Sequence, residues 1–425
     1  MKLESLFHQL LGLGSNWEVV SLRVLEPDGT VEIGIRETGE LWKEQKCAVD
    51  GHAVVGFDHA QERRWRHLNI FQYRCEIVCK LPRGKCVKCG KIRTIPAPWE
   101  GLSKGFTMAF EAMCLLLMRD MAVKRVAEFV GEHDTRLWRV LRGHVDTARL
   151  DKRMDKVSAI CCDELAIRKG HQYASVFADA NAREVLFATE SKEDVTWKRF
   201  AEDLERHGGK VGSIAWASID MSKSYQSGAR SYMPDARIVF DKFHVIKLAN
   251  DAVDQVRRLE GKQQQDRGKD LKKSRYVWLK NPNNLSGKQQ EKLLSLSKLN
   301  LQTAKAYSRQ RSGRLNLQEI YRLPDSLRAH RRLKAWIRWT QLAARKTPLL
   351  APMARVGRTL GKHLDGILAH WENHATNAFM EGLMSVFSAT KRKARGYRSF
   401  EYLRSMLYFT GSNLNIPFQP LFHCK

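Results

Sequence analysis

Ser213 to His244 reads SIAWASIDMSKSYQSGARSYMPDARIVFDKFH. Ile214-Ala-Trp-Ala-Ser-Ile219 is an apolar run of strand length, and Asp220 follows it at once. Met221 to Tyr232 carries helical spacing, which Pro234-Asp235 breaks. Ala236-Arg-Ile-Val-Phe240 is a second strand, and it ends on Asp241. Upstream, the apolar run Val157-Ser-Ala-Ile-Cys-Cys162 leads into Asp163-Glu164. Each of these strand-like runs ends on an acid. In an open α/β sheet, reacting groups collect just beyond the carboxyl ends of strands. Carboxylates grouped there are what a hard divalent cation requires. An aspartate after a strand is also an ordinary turn residue or helix cap. The recurrence at successive strand ends is what favours a cation site.

Composition narrows the partners. The chain has 425 residues and a formal net charge of +27. That length gives a prior of about three domains and ample core. The charge excess points to a polyanion, by counterion release, and to nucleic acid before a membrane surface. No apolar run approaches the ~20 residues that span a bilayer. The start, MKLESLFHQLLGLGSNWE, has acidic flanks and no small-residue cleavage site, which predicts no signal peptide. Nine cysteines without export signals argue against a disulfide framework. Five of them fall between Cys47 and Cys89, which suggests a metal.

The N-terminal third reads as a small β module. Glu18 to Leu25 and Thr30 to Ile35 flank Glu26-Pro-Asp-Gly29, a hairpin turn sequence. An Arg-rich aromatic stretch, Arg63-Arg-Trp-Arg-His67, precedes a strand expected from Ile70 to Leu81 and turned by Pro82-Arg-Gly84. Cys86-Val-Lys-Cys89-Gly90 is a half-site for tetrahedral zinc, since the two-residue gap lets both thiolates face one ion. For the other half, Cys47 is a third ligand, Asp50 sits where a second cysteine is expected, and His52 is close. Cys75 and Cys79 offer another pair. The alternative is a cluster of free cysteines, or a site that has lost a ligand.

Residues 106–149 are expected to be helical. Apolar residues at 123, 126, 127 and 130 keep helical spacing. Gly131-Glu-His-Asp134 interrupts them, and Asp134 is expected to cap a further helix. Helix, glycine turn, helix is the helix-turn-helix pattern; Arg136, Arg139 and Arg142 on the second helix would reach DNA. An ordinary helical hairpin is the alternative. From Lys156 the expected order is β-β-β-α-β-α-β-α, that of the ribonuclease-H-like fold. Arg257 to Lys280 holds nine Lys/Arg against three acids, and Arg328 to Arg345 is again basic, with Trp336 and Trp339. This predicts a basic helical insertion whose charges lie along phosphates, or else a solvated face. Past Pro352 the chain is helical. Asn377 and Glu381 share a helix face, and Lys391-Arg-Lys-Ala-Arg-Gly-Tyr-Arg398 follows.

These residues carry a resemblance to bacterial insertion-sequence transposases of the ISL-three type, in the aspartate-aspartate-glutamate superfamily. The Arg-Trp-Arg-His-Leu stretch, Cys86-x-x-Cys89-Gly90 and Pro98-Trp99 resemble its zinc module. Ala122 to Trp138 resembles its helix-turn-helix. Asp163-Glu164, Asp220-Met-Ser222, Asp241-Lys-Phe-His244, Asn377-x-x-x-Glu381-Gly382 and Lys391 to Arg398 resemble its catalytic region. The chain departs from it at Cys47-Ala-Val-Asp50, where the family commonly has Cys-x-x-Cys.

The resemblance implies a multidomain α+β protein. Its parts would be a zinc module (1–100), a helix-turn-helix (101–150), and a ribonuclease-H-like core in two parts (155–250 and 351–425) interrupted by a helical insertion (251–350). It implies that Asp163, Asp220 and Glu381 hold a pair of Mg²⁺ ions. His244, just beyond Asp241, is close enough to orient the scissile phosphate or leaving group; a buried, satisfied histidine is the alternative. Zinc would sit on Cys47, Asp50, Cys86 and Cys89, and Arg136, Arg139, Lys391, Arg392, Lys393, Arg395 and Arg398 would contact DNA. The implied activity is cutting at the element's terminal inverted repeats and joining the 3′-ends to target DNA. The implied setting is a homo-oligomer on double-stranded DNA, in the bacterial cytoplasm at the nucleoid, with no membrane. Two rivals stay open: a ribonuclease-H-like nuclease without strand transfer, and a non-catalytic DNA-binding regulator.

Overall fold

A computed structural model describes residues 2–168, 172–263, 271–280, 282–311, 317–373 and 378–416. Its contacts fall into two units. One gathers the chain up to Asp151 with Thr390–Thr410, and the other is built on Lys152–Ala389.

The first unit begins with the expected hairpin. β1 (Trp17–Leu25) pairs antiparallel with β2 (Thr30–Glu37), and Gly29 takes a φ of 55° at the turn. The next pair is longer than expected. β3 (Val54–Ile70) is the Arg-rich stretch itself, and β4 (Tyr73–Cys86) runs straight through Pro82-Arg-Gly84. Pro82 is tolerated because the ladder shifts register opposite it, between His59 and Glu62, so its missing N–H interrupts no regular bond. The sheet order is β1-β2-β4-β3, with β5 (Ile92–Thr94) on β4. Alternate β4 residues Cys75, Ile77, Cys79 and Leu81 join Trp17, Ile33, Trp65 and Trp99 in one core. This removes Cys75 and Cys79 from the candidate ligands, and burial pushes both thiols up to about 12.

Helices Met108–Asp120, Val123–Val130 and Asp134–Leu150 follow. Gly131 closes the second with a φ of 68°. The third is capped by His133, which accepts from the Thr135 N–H, and not by Asp134, its first residue. A buried pair, Glu111 and His144 at 2.8 Å, ties the first helix to the third.

In the second unit β6 (Ala159–Arg168), β7 (Gln172–Asp179) and β8 (Glu184–Glu190) form an antiparallel meander. Helix Val195–Arg206 leads to β9 (Trp216–Ile219), and helix Lys223–Tyr232 to β10 (Arg237–Phe240). The order is β10-β9-β6-β7-β8, with β9 parallel to β6 and β10 parallel to β9. β6 does not stop at Cys162 as expected. β7 pairs with it as far as Arg168, so Asp163 and Glu164 lie inside the strand. The β9 pairing ends at Cys161, so Asp163 is beyond the parallel part.

Helix Lys242–Gln263 passes unbroken from the sheet into the basic region. Its Asp254 gathers Arg257 at 2.8 Å, Arg258 at 3.3 Å and Arg275 at 3.7 Å, so part of the charge expected to lie free is neutralised internally. Buried Glu260 accepts from the Gln302 N–H at 2.7 Å and the Thr303 N–H at 2.8 Å, capping helix Gln302–Arg311. Trp336 is fully buried in the same core as Ile160, Phe177 and Trp278, and Trp339 is partly buried against that core. No described helix is long and apolar enough to cross a membrane.

Two expectations about stability follow from this packing. Burial lowers His67 from 6.5 to about 4, and its Nδ1 lies 2.9 Å from Oγ1 of Thr107, the cap of helix Met108–Asp120. A depressed histidine contributes stability that is present above its unfolded pKa and lost as pH falls through the folded one. Melting temperature should therefore drop between pH 6.5 and about 4. His67→Gln should flatten that part of the profile, by on the order of 1–3 kcal/mol. A Cβ on Gly228 would lie 2.3 Å from Trp197 Cδ1. Gly228→Ala should cost about 1–3 kcal/mol in thermal or urea unfolding.

Candidate active site and DNA-binding modules

Strand register sets the candidate active site. Cys161 pairs with Ser218, and two residues further along each strand stand Asp163 and Asp220. Ile219 pairs with Phe240, and the next residues are Asp220 and Asp241. Three neighbouring strands thus present an aspartate at one level. Asp220 Oδ1 accepts from the Ser222 N–H at 2.8 Å, and Asp241 Oδ1 from the Phe243 N–H at 3.1 Å. Each aspartate therefore also begins the turn into the next helix. His244 Nδ1 lies 2.8 Å from Asp241 Oδ2.

The electrostatics are those of crowded acids. Burial raises the Asp163 pKa, and the charges of Asp241 and Asp220 add to it, against the Glu164 N–H at 2.7 Å and His244. Burial likewise raises Glu164, helped by Asp220 and Asp163 and opposed by Lys192. The hydrogen bond to Asp241 raises His244, and Asp163 adds to it. Such a set is relieved by a bound cation, and its all-oxygen donors suit a hard one. Glu381 stands exposed in the first turn of helix Ala378–Lys393; Asn377 lies outside the described residues. Among the described residues, Asp163, Asp220 and Glu381 do not come within mutual ligand distance.

A second donor set does converge. Ligand atoms of Cys47, Asp50, Cys86 and Cys89 all lie within 4.8 Å of one another. They come from two turns of the same form. In each, a glycine amide bonds back to the first cysteine's carbonyl: Gly51 to Cys47 at 2.8 Å, Gly90 to Cys86 at 3.1 Å. Both glycines have positive φ, 71° and 69°, a conformation that a side chain would strain. Cys86 Sγ accepts from the N–H groups of Lys88 and Cys89. Those bonds favour its thiolate and lower its pKa, while Cys89 is pushed to about 11. The His52 N–H bonds Asp50 and holds its carboxyl at about 2. His52 itself is outside the group. Three cysteine sulfurs and a carboxylate with this geometry could hold a metal ion.

The helix-turn-helix is joined to the β module through one acid. Glu132, between the helices and 4% exposed in its side chain, meets Arg74 at 3.1 Å and Arg66 at 4.0 Å, and also bonds Arg136. Arg136 further lies 4.1 Å from the Phe106 ring centroid and is half-buried. Arg139 is exposed on the same helix, and Arg142 half-buried. Several members of the basic run have partners in this unit. Lys393 Nζ donates to the Asp120 carbonyl at 2.6 Å, Arg398 meets Asp134 at 3.4 Å, and Trp138 stacks on Tyr402 at 4.5 Å. Lys391, Arg392 and Arg395 lie along the end of helix Ala378–Lys393 and its exit, where Arg395 takes a φ of 54°. Sequence reasoning missed Glu132, although its i,i+4 spacing to Arg136 is a visible signal. It grouped Asp241 with Asp163 and Asp220 as a strand-end acid, while the family resemblance named only Asp163, Asp220 and Glu381 as metal ligands.

Comparison with known proteins gives the family. Residues 160–407 match the DDE transposase family model of ISL3, and residues 103–145 match the helix-turn-helix domain of transposase family ISL3. The transposase for insertion sequence element IS1001 of Bordetella parapertussis is 29% identical over 390 residues, covering 89% of this chain and 90% of that one. The transposase for insertion sequence element IS1557 of Mycobacterium tuberculosis is 23% identical over 450 aligned positions, covering 97% of each. The longer family match takes in the aspartate-bearing strands and Glu381, and the shorter one takes in all but the end of the three-helix segment. The chain belongs to the ISL3 family of insertion-sequence transposases, and is a DNA-binding transposase of the DDE type.

Proposed function

We propose that this transposase binds the terminal inverted repeats of its element, cuts DNA at the ends and joins the 3′-ends to target DNA. The observation that carries this reading is the alignment of Asp163, Asp220 and Asp241 across β6, β9 and β10. The sheet order, an antiparallel meander followed by two parallel strands on its open side, supports a ribonuclease-H-like core. On this reading residues 155–250 and 351–425 build the core, 251–350 are inserted, 1–100 form a zinc module and 101–150 read DNA.

Asp163, Asp220 and Glu381 would hold a pair of Mg²⁺ ions, Glu381 approaching on its helix. When bound, the ions supply activation of a water or DNA 3′-hydroxyl and stabilisation of the leaving oxygen. His244, whose pKa the hydrogen bond to Asp241 raises, would donate to the scissile phosphate or the leaving group. Arg139 reaches the groove; Arg136, bonded to Glu132, braces the start of the same helix and meets DNA from there. Lys391, Arg392, Lys393, Arg395 and Arg398 line the flank. The active form is a homo-oligomer on the paired ends, working at the nucleoid in the cytoplasm.

Cys47, Asp50, Cys86 and Cys89 would take one zinc ion, with Asp50 as the oxygen ligand. Freshly purified protein should carry about one zinc per chain. Cys86→Ala should lose it and lower the melting temperature, while Asp50→Cys keeps it. Elemental analysis without zinc would remove the claim.

The catalytic assignment is tested with a duplex from the element's end, Mg²⁺, and products resolved by strand. Asp163→Asn, Asp220→Asn and Glu381→Gln should each lower cleavage on the order of a thousandfold or more. Binding of the end should stay near normal. Near-normal cleavage by one variant would falsify that residue's role, and cutting without joining would make the chain a nuclease only.

A further inference from the structure

The β3–β4 hairpin ends in a two-residue loop closed by the Ile70–Tyr73 pair. Its first loop residue is Phe71, with a φ of 52°. Bulky side chains rarely adopt that backbone, and glycine or asparagine is the usual choice. The ring is also 90% exposed, the highest value among the exposed large apolar residues described. A strained backbone and a bare aromatic ring both work against folding, so the position is explained by what the ring meets.

The loop is held beside the helix-turn-helix. Arg74, next to the loop, binds Glu132, and Glu132 directly precedes His133, the cap of helix Asp134–Leu150. Arg66 from the other strand reaches the same carboxylate. The hairpin tip and the start of that helix therefore form one body. His133, Thr135 and Arg139 near the start of the helix are exposed, and so are Asn69 and Gln72, close to Phe71 in the chain. These neighbours are polar, with Arg139 an exposed cation, on a chain of net charge +27, which suits DNA and not an apolar protein face.

We propose that Phe71 is a wedge that enters the minor groove and opens a base step next to the segment faced by helix Asp134–Leu150; this rests on that helix facing DNA. A ring carried on a stiff hairpin partly unstacks the step and bends the duplex, and flexible pyrimidine–purine steps yield most easily. The wedge thereby adds sequence preference at a position that no hydrogen bond reads.

The test uses the full chain and a fluorescent duplex from one end of its own element, with 2-aminopurine placed at successive positions. The unsubstituted chain should brighten 2-aminopurine at one step, and no brightening at any position overturns the proposal. Phe71→Ala should bind roughly tenfold more weakly and lose the brightening, and Phe71→Trp should keep both. Phe71→Gly relieves the backbone, so it should melt higher and still lose the signal, a separation that a merely structural tip would not give. Arg139→Ala is the control for the helix. If it weakens binding while Phe71→Ala does not, the wedge fails and the helix reading stands; if neither weakens binding, both fail. Dissociation of a DNA-free dimer by Phe71→Ala would make the tip a protein contact and overturn the wedge.

Discussion

Three like charges held at one level is the constraint on which the catalytic unit depends. Parallel pairing of β9 with β6, and of β10 with β9, leaves no choice about where Asp163, Asp220 and Asp241 stand. Burial raises Asp163, and the charges of Asp241 and Asp220 add to it. The fold answers with local donors: the Ser222 and Phe243 amides each bond one carboxylate, and His244 binds Asp241. The carboxylate oxygens these donors leave free are of the kind that suits a hard cation.

Much of this unit was legible because its strands are short and apolar, and each is cut off by an acid or a proline. β9, β10 and the helix between them fell within a few residues of expectation. β6 was misjudged at its end because strand length there is set by β7, a partner that local hydrophobicity does not reveal. The same limit explains β3 and β4. Their register shifts and mutual pairing let arginines and Pro82 occupy long strands that neither would form alone. Trp336 shows the converse: a tryptophan in a basic helix reads equally as core or as a stacking surface, and only packing decides.

Candidate site residues were legible by type, and less so by partner. Cys86 and Cys89 announced their turn, and Cys47 and Asp50 repeat its geometry closely enough that a carboxylate fills a thiolate's place. Arg136 and Arg139 looked equivalent three residues apart. Glu132 and Phe106 engage Arg136 and leave Arg139 exposed. Net charge likewise overstated the free cations, since Asp254 alone gathers three arginines.

Helix Lys242–Gln263 is 22 residues long, about 33 Å at the usual rise. One end begins directly after Asp241 and carries His244; towards the other, Asp254 and Glu260 anchor Arg275 and helix Gln302–Arg311. One continuous helix therefore joins the Asp241–His244 pair to the carboxylates that order the basic region, so a break in its middle would loosen both.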